Sequence, residues 1–114
     1  MPTPIPKPPG HLKLRGAGRA LWREITTGYD LEPHHLTLLD AACSAAARMD
    51  AARSAIAEHG LTFVDDKGGI HPRPEVAIER DSRLALVRCL RELSLDSAAA
   101  ESAARPPQIA KRYA

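Results

Sequence analysis

The sequence predicts a mainly α-helical chain with one small β-hairpin, and three observations lead there. Apolar residues recur at steps of three and four from Pro33 to Gly60 and again after Pro74. Leu61–Val64 is β-prone and is followed by the turn sequence Asp65-Asp66-Lys67-Gly68-Gly69. Both ends are rich in proline or in small polar residues, and residues 1–23 and 105–114 carry only basic charge. The expected order is a short N-terminal helix, a long helix, a small β-hairpin and an antiparallel return helix, between disordered basic ends. With 114 residues the chain fits one small domain. We divide it into a proline-rich basic arm over 1–16, a helical body over 17–95 and a flexible basic tail over 96–114.

Met1 to Gly10 holds Pro2, Pro4, Pro6, Pro8 and Pro9, which excludes a helix or a central strand. That leaves a disordered or an extended arm. From about Gly18 to Thr27, Leu21, Trp22 and Ile25 form one apolar face, while Arg19, Arg23 and Glu24 line the other. Gly28 supplies the stop. So short a helix must dock on something. Trp22 is its natural anchor against the long helix, the other use of such an indole being to stack on a base or a partner.

Pro33 suits the first turn of a helix, and Asp30 and Glu32 place negative charge near the positive end of its dipole. Leu38, Ala42, Ala45, Met49, Ala52 and Ile56 then follow at coiled-coil spacing. Leu39, Cys43 and Ala46 widen the stripe to a second flank. One flank can pack within the subunit while the other faces a neighbour. Gly60 ends the helix.

Leu61–Val64 and Ile70-His71 read as the two strands of the hairpin, too short to be stable without support. After His71-Pro72-Arg73-Pro74, Glu75 opens the return helix. Ile78, Leu84, Leu86, Val87, Leu90 and Leu93 are its expected apolar side. Counted from the tip of the helical hairpin, Cys43 and Cys89 lie at comparable depths of roughly 24 and 21 Å. They are expected as small core residues, with their adjacency left open. Ser97 to Ala104 could form a weak helix, and Ile109 to Ala114 a flexible basic peptide.

Aromatic residues make up only 4% of the chain, and much of the apolar content is alanine. A monomer of this kind would bury little apolar area, and oligomerisation is the simplest way to complete its core. The net charge of +2 conceals an asymmetry. Residues 1–23 carry Lys7, Lys13, Arg15, Arg19 and Arg23, and residues 105–114 carry Arg105, Lys111 and Arg112, with no acid in either stretch. Such ends fit an anionic partner such as nucleic acid, or else solubilising tails.

Catalytic and cofactor chemistry finds little here. Gly16-Ala17-Gly18 is too short for a phosphate cradle and follows no strand. His34 and His35 are adjacent, point about 100° apart on a helix, and are expected as surface residues rather than as ligands. Asp65 and Asp66 are turn residues first. The two cysteines have no metal-ligand spacing and no disulfide framework. No enzyme, cofactor or metal is expected. Neither a signal peptide nor a membrane-spanning run is visible, and the chain reads as belonging to a reducing compartment. A helix-turn-helix is not recognisable, nor is an aromatic-studded RNA-binding strand.

The order of several short stretches resembles the small terminase subunits of tailed bacteriophages. The matching residues are Gly18-Arg19-Ala20-Leu21-Trp22-Arg23, His35-Leu36-Thr37-Leu38-Leu39-Asp40-Ala41-Ala42-Cys43, Glu58-His59-Gly60-Leu61-Thr62, Gly69, His71-Pro72 and the helix Leu84 to Leu95. The terminal Ala110-Lys111-Arg112-Tyr113 is similar to the basic-aromatic tail of that family. The resemblance implies a non-catalytic subunit that forms a homo-oligomeric ring, binds double-stranded viral DNA in the host cytoplasm and regulates the large ATPase/nuclease subunit. On that reading Lys13, Arg15, Arg19 and Arg23 contact phosphates, and Lys111 with Arg112 forms a second basic site. Leu38, Ala42, Ala45, Met49, Ala52 and Ile56 form the oligomer interface, 17–95 is the oligomerisation and DNA-packaging domain, and 97–114 meets the large subunit. The alternatives are a DNA-binding transcriptional regulator and a head–tail adaptor that recognises no DNA site.

Overall fold

In the computed structural model, residues 4–95 and a two-residue strand at 110–111 are described. Helix α1 spans Ala17–Gly28 and leads into a short extended stretch, β1, at Tyr29–Asp30. Helix α2 covers Pro33–His59, and strands β2 (Thr62–Val64) and β3 (Ile70–Pro72) form the hairpin. Helix α3, Pro74–Leu93, returns along α2, and β4 is Ala110–Lys111. The fold is mainly helical with a small antiparallel hairpin, as the sequence predicts.

Helix α1 docks through Gly18, Trp22, Ile25 and Thr26, all buried and all on one side of the helix. Trp22 is 5% exposed and belongs to the same core cluster as Leu39, Ala42, Cys43 and Leu93. The approach to α2 is closest at Gly18, where an added Cβ would lie 2.8 Å from the Cys43 carbonyl oxygen. Helix α1 keeps Gly28 as its last residue, and the chain turns extended one position later, at Tyr29.

Helix α2 begins with a reciprocal cap. The Glu32 side chain accepts from the backbone of His35, and the Glu32 N–H donates to His35 Nδ1 at 3.2 Å. This buries His35 to 2% exposure, whereas His34 stays exposed. The surface position expected for both histidines is therefore corrected at His35, because its ring serves the orphan amide of the N-cap. At the other end Gly60 closes the helix with φ at 87° and its N–H on the Ile56 carbonyl.

Helix α3 packs along α2 by a seam that only partly coincides with its apolar residues. Glu75, Glu79, Ser82, Leu86, Cys89 and Leu93, at alternating steps of four and three, are all less exposed, and Val76, Ala85 and Leu90 flank them. Leu93 is fully buried, which stabilises the fold by about 1.5–3 kcal/mol. Ile78, Leu84 and Val87, expected on the buried side, are exposed. Polar residues occupy the tip half of the seam: Glu79 accepts from Arg53 of α2 at 3.2 Å and pairs with Arg83. Hydropathy therefore finds Leu86, Leu90 and Leu93 and misplaces Ile78, Leu84 and Val87.

The hairpin pairs Thr62 with Pro72, Phe63 with His71 and Val64 with Ile70. Its turn is organised by Asp65, whose carboxylate accepts from the N–H groups of Lys67 and Gly69 and meets His71 Nε2 at 2.6 Å. Residues 4–16 lie against the helices, with turns closed by the Leu12 N–H on the Pro9 carbonyl and by the Gly16 N–H on the Lys13 carbonyl. Leu12 is buried in the core cluster, and the Pro6 carbonyl accepts from the Trp22 indole. Strand β4 pairs with β1 in the register Tyr29↔Lys111 and Asp30↔Ala110, where a flexible peptide was expected. The weak helix expected at 97–104 lies outside the described residues.

Candidate nucleic-acid interface

The basic residues of the N-terminal region do not share one role. Lys13, Arg15 and Arg23 are exposed. Arg19 is half-buried, and its Nε donates to the Leu12 carbonyl at 3.0 Å, so it holds the arm against α1. Lys13 and Arg15 sit on the turn closed by the Gly16 N–H to the Lys13 carbonyl, directly before the α1 N-terminus. That terminus has no acid in its first turn and no side chain capping it. Helix dipole and side-chain charge are therefore both positive at this end.

Of the second basic pair, Lys111 lies beyond the other end of α1. Lys111 aligns with Tyr29 through the backbone, and Arg112 lies outside the described residues. Over twelve helical residues the two ends are separated by roughly 18 Å. Arg19 and Arg23 lie between them on α1. The helix thus strings together basic positions that are 98 residues apart in the chain at their extremes, Lys13 and Lys111.

A cleft of about 680 Å³ runs between residues 11–18 and the outer face of α2. Lys13 and Arg48 both line it, together with Ala47, Asp50, Ala51 and Glu58. Arg48 is an exposed base that neither charge runs nor motif spacing single out. No spacing rule links it to Lys13, because only the crossing of α1 over α2 at Gly18 puts the two on one cleft. His11, which also lines the cleft, meets Asp40 Oδ1 at 3.0 Å.

The α2 stripe at coiled-coil spacing is largely used within the chain. Ala42 and Ala45 have no exposure and Ala52 retains 4%, whereas Leu38, Met49 and Ile56 are half-buried. Alanines at such positions let the chain's own helices approach closely. What remains open to a neighbour on this stripe is its bulky part.

Reactive groups are held quiet. Burial, with a smaller contribution from Asp40, pushes the Cys43 thiol up to about 12, away from thiolate chemistry. Cys89 packs against the cluster that contains Cys43, and both thiols are free. The Asp65 carboxyl is held below its usual range by His71 and by the Gly69 and Lys67 amides, so it serves the turn. Among the described residues no group of three or more His, Cys, Asp or Glu could hold a metal ion, and no helix is long and apolar enough to cross a membrane.

Comparison with known proteins gives one match. A family model described as "Phage terminase, small subunit" fits residues 18–108, most of the chain. No curated protein and no solved structure matches the chain significantly.

Proposed function

Because the chain belongs to the phage terminase small-subunit family, we propose that it serves genome packaging as a non-catalytic DNA-binding ring that regulates the large ATPase/nuclease subunit. The observation that carries the DNA-binding part is the acid-free run from Met1 to Arg23, with Lys13 and Arg15 exposed just before an uncapped helix N-terminus and Arg23 exposed further along the same helix. Phosphate oxygens are the natural ligands of such a surface, and contacts of this kind position DNA without reading its sequence. Lys111 and Arg112 supply a second phosphate contact, and Arg19 acts mainly by holding the arm in place.

Between copies, the half-buried Leu38, Met49 and Ile56 are the contact residues on α2, while Ala42, Ala45 and Ala52 set the close packing of the subunit itself. The large subunit is met by the tail over 97–114. Catalysis of cleavage and of ATP hydrolysis belongs to that larger partner.

The test is a salt series of double-stranded DNA binding, with solution mass measured alongside. Replacing Lys13, Arg15 and Arg23 by glutamine should weaken binding and lower the slope of log K against log salt by about 0.9 for each phosphate that is no longer neutralised. Unchanged binding in low salt would sink the assignment. A ring that ignores DNA would mark a head–tail adaptor, and a monomer or dimer that prefers a short operator would mark a transcriptional regulator.

A further inference from the structure

We propose that the hairpin is a dimerisation edge: strand β2 of one copy pairs antiparallel with β2 of a second copy, about a two-fold axis at Phe63. This contact is separate from the α2 surface assigned above and does not depend on ring formation.

The reasoning starts from which backbone groups the hairpin leaves open. The Arg73 N–H donates to the Leu61 carbonyl, and the Asp65 N–H to the Gly69 carbonyl. With Phe63 opposite His71, alternation along an antiparallel ladder turns the Phe63 amide and carbonyl toward β3. The amides and carbonyls of Thr62 and Val64 therefore point away from β3. The hairpin is a two-stranded sheet, and no further strand pairs with it among the described residues.

The two edges of this sheet are not equivalent. On β3 the outward positions are Ile70 and Pro72, and Pro72 has no N–H to give. Arg73 follows it. Proline and charge are the usual guards against edge pairing. On β2 the run Leu61-Thr62-Phe63-Val64 has neither. One edge is closed and the other is open.

An open β2 edge would accept many strands, but its own copy fits by register. A two-fold axis at Phe63 sets Thr62 opposite Val64 of the second copy, and Val64 opposite its Thr62. Each outward N–H then meets an outward carbonyl, and none of these groups is left over. The Phe63 side chains become a non-hydrogen-bonded pair, with Cα atoms about 4.5 Å apart. Asp65 falls opposite Leu61, so no like charges face each other.

The side chains agree with the backbone. All six strand residues are exposed, with Phe63 at 41%, Val64 at 65% and Ile70 at 72%. Leu61 adds a fourth apolar residue, exposed to 60%. A lone two-stranded hairpin with exposed apolar faces is marginal in water, and a four-stranded sheet is not. Because the β3 edge is closed, strand addition stops at two copies instead of growing into a filament.

The experiment uses the full chain. Thr62→Pro removes one outward N–H that the hairpin itself does not use, and Val64→Lys places a charge on the same edge. Light scattering across a dilution series should give each variant about half the mass of the wild type, with helicity unchanged by circular dichroism. The ratio of masses reads the β2 contact, whereas the absolute mass of the variants reads the ring. As a register check, Phe63→Cys should form a disulfide-linked dimer on mild oxidation, and Ile70→Cys should not. Equal masses for wild type and both variants, or cross-linking through position 70 instead of 63, would overturn the proposal.

Discussion

The Trp22 indole N–H donates to the carbonyl of Pro6 at 3.0 Å, and through this bond the proline-rich arm is fastened to the helical core. Arg19 repeats the device by donating to the Leu12 carbonyl, and Leu12 itself is buried to 4%. Two basic residues of the arm, Lys7 and Lys13, are positioned by these bonds. Trp22→Phe keeps most of the apolar volume and deletes the donor. We expect a loss of about 1 kcal/mol in urea unfolding and faster proteolysis between Lys7 and Arg15. Trp22→Ala should cost about 3–5 kcal/mol, because it also empties the core. Equal protease resistance in the wild type and Trp22→Phe would show that the bond does not fasten the arm.

Gly18→Ala tests the crossing of α1 and α2. Helix propensity alone favours alanine by about 1 kcal/mol. Against that, the new Cβ would stand 2.8 Å from the Cys43 carbonyl oxygen and 2.9 Å from Leu12 Cδ2. Leu12 can rotate away, but the α2 backbone cannot move without opening the core. Overpacking of this kind costs about 1–3 kcal/mol, so the net effect should be destabilising. A lower urea midpoint with unchanged m-value is the expected result.

The fold was legible where composition and periodicity coincide. Pro33, Gly60 and the Asp65–Gly69 turn mark element boundaries by backbone chemistry that does not depend on tertiary context. The α3 face was legible only in part: Leu86, Leu90 and Leu93 face the core, but Glu75, Glu79 and Ser82 share the seam while Leu84 and Val87 lie outside it. An ion pair from Arg53 and the long stem of glutamate make that exchange tolerable, and no hydropathy count registers it. At the candidate interface the basic run was visible as charge alone. That Arg19 holds the arm and that Arg48 shares a cleft with Lys13 both follow from the α1–α2 crossing. Nor did the sequence distinguish the two uses of alanine. Ala42 and Ala45 look alike in an inter-subunit and an intra-subunit stripe, and only burial separates the two.

Acid should loosen the start of α2. Burial, followed by the neighbouring His34, depresses the pKa of His35 below its ordinary value of 6.5, with Glu32 opposing in part. The unfolded chain then binds the proton more readily than the folded one. Stability from this residue is fully present above pH 6.5 and is lost as pH falls from there through the depressed value. The structural reason is direct: Nδ1 accepts the Glu32 N–H, and a protonated ring cannot. His35→Gln retains an acceptor at the same position of the cap and does not titrate. Thermal midpoints of the wild type should fall between pH 7 and 5 by more than those of His35→Gln. Parallel pH profiles would rule out His35 as the cause.

A second pH window belongs to the hairpin turn and lies lower. The Asp65 carboxyl is shifted down by His71 first, then by the Gly69 and Lys67 amides. Because the folded-state pKa is depressed, the turn keeps this stabilisation above the ordinary carboxylate range and loses it as pH falls through the depressed value. The same carboxylate fills the space beside Gly69, where a Cβ would come within 2.9 Å of Asp65 Oδ2. Gly69→Ala should therefore push the carboxylate from its seat, and Asp65→Ala should remove it. Both substitutions should raise amide exchange at Lys67 and at residue 69, leaving the amides of α2 and α3 protected. Asp65→Asn separates geometry from charge. It retains an acceptor for the two amides but weakens the pairing with His71, so its exchange should be intermediate and flat in acid. If Asp65→Asn and wild type exchange alike at neutral pH, the amide bonds alone hold the turn and the 2.6 Å contact with His71 adds nothing to it.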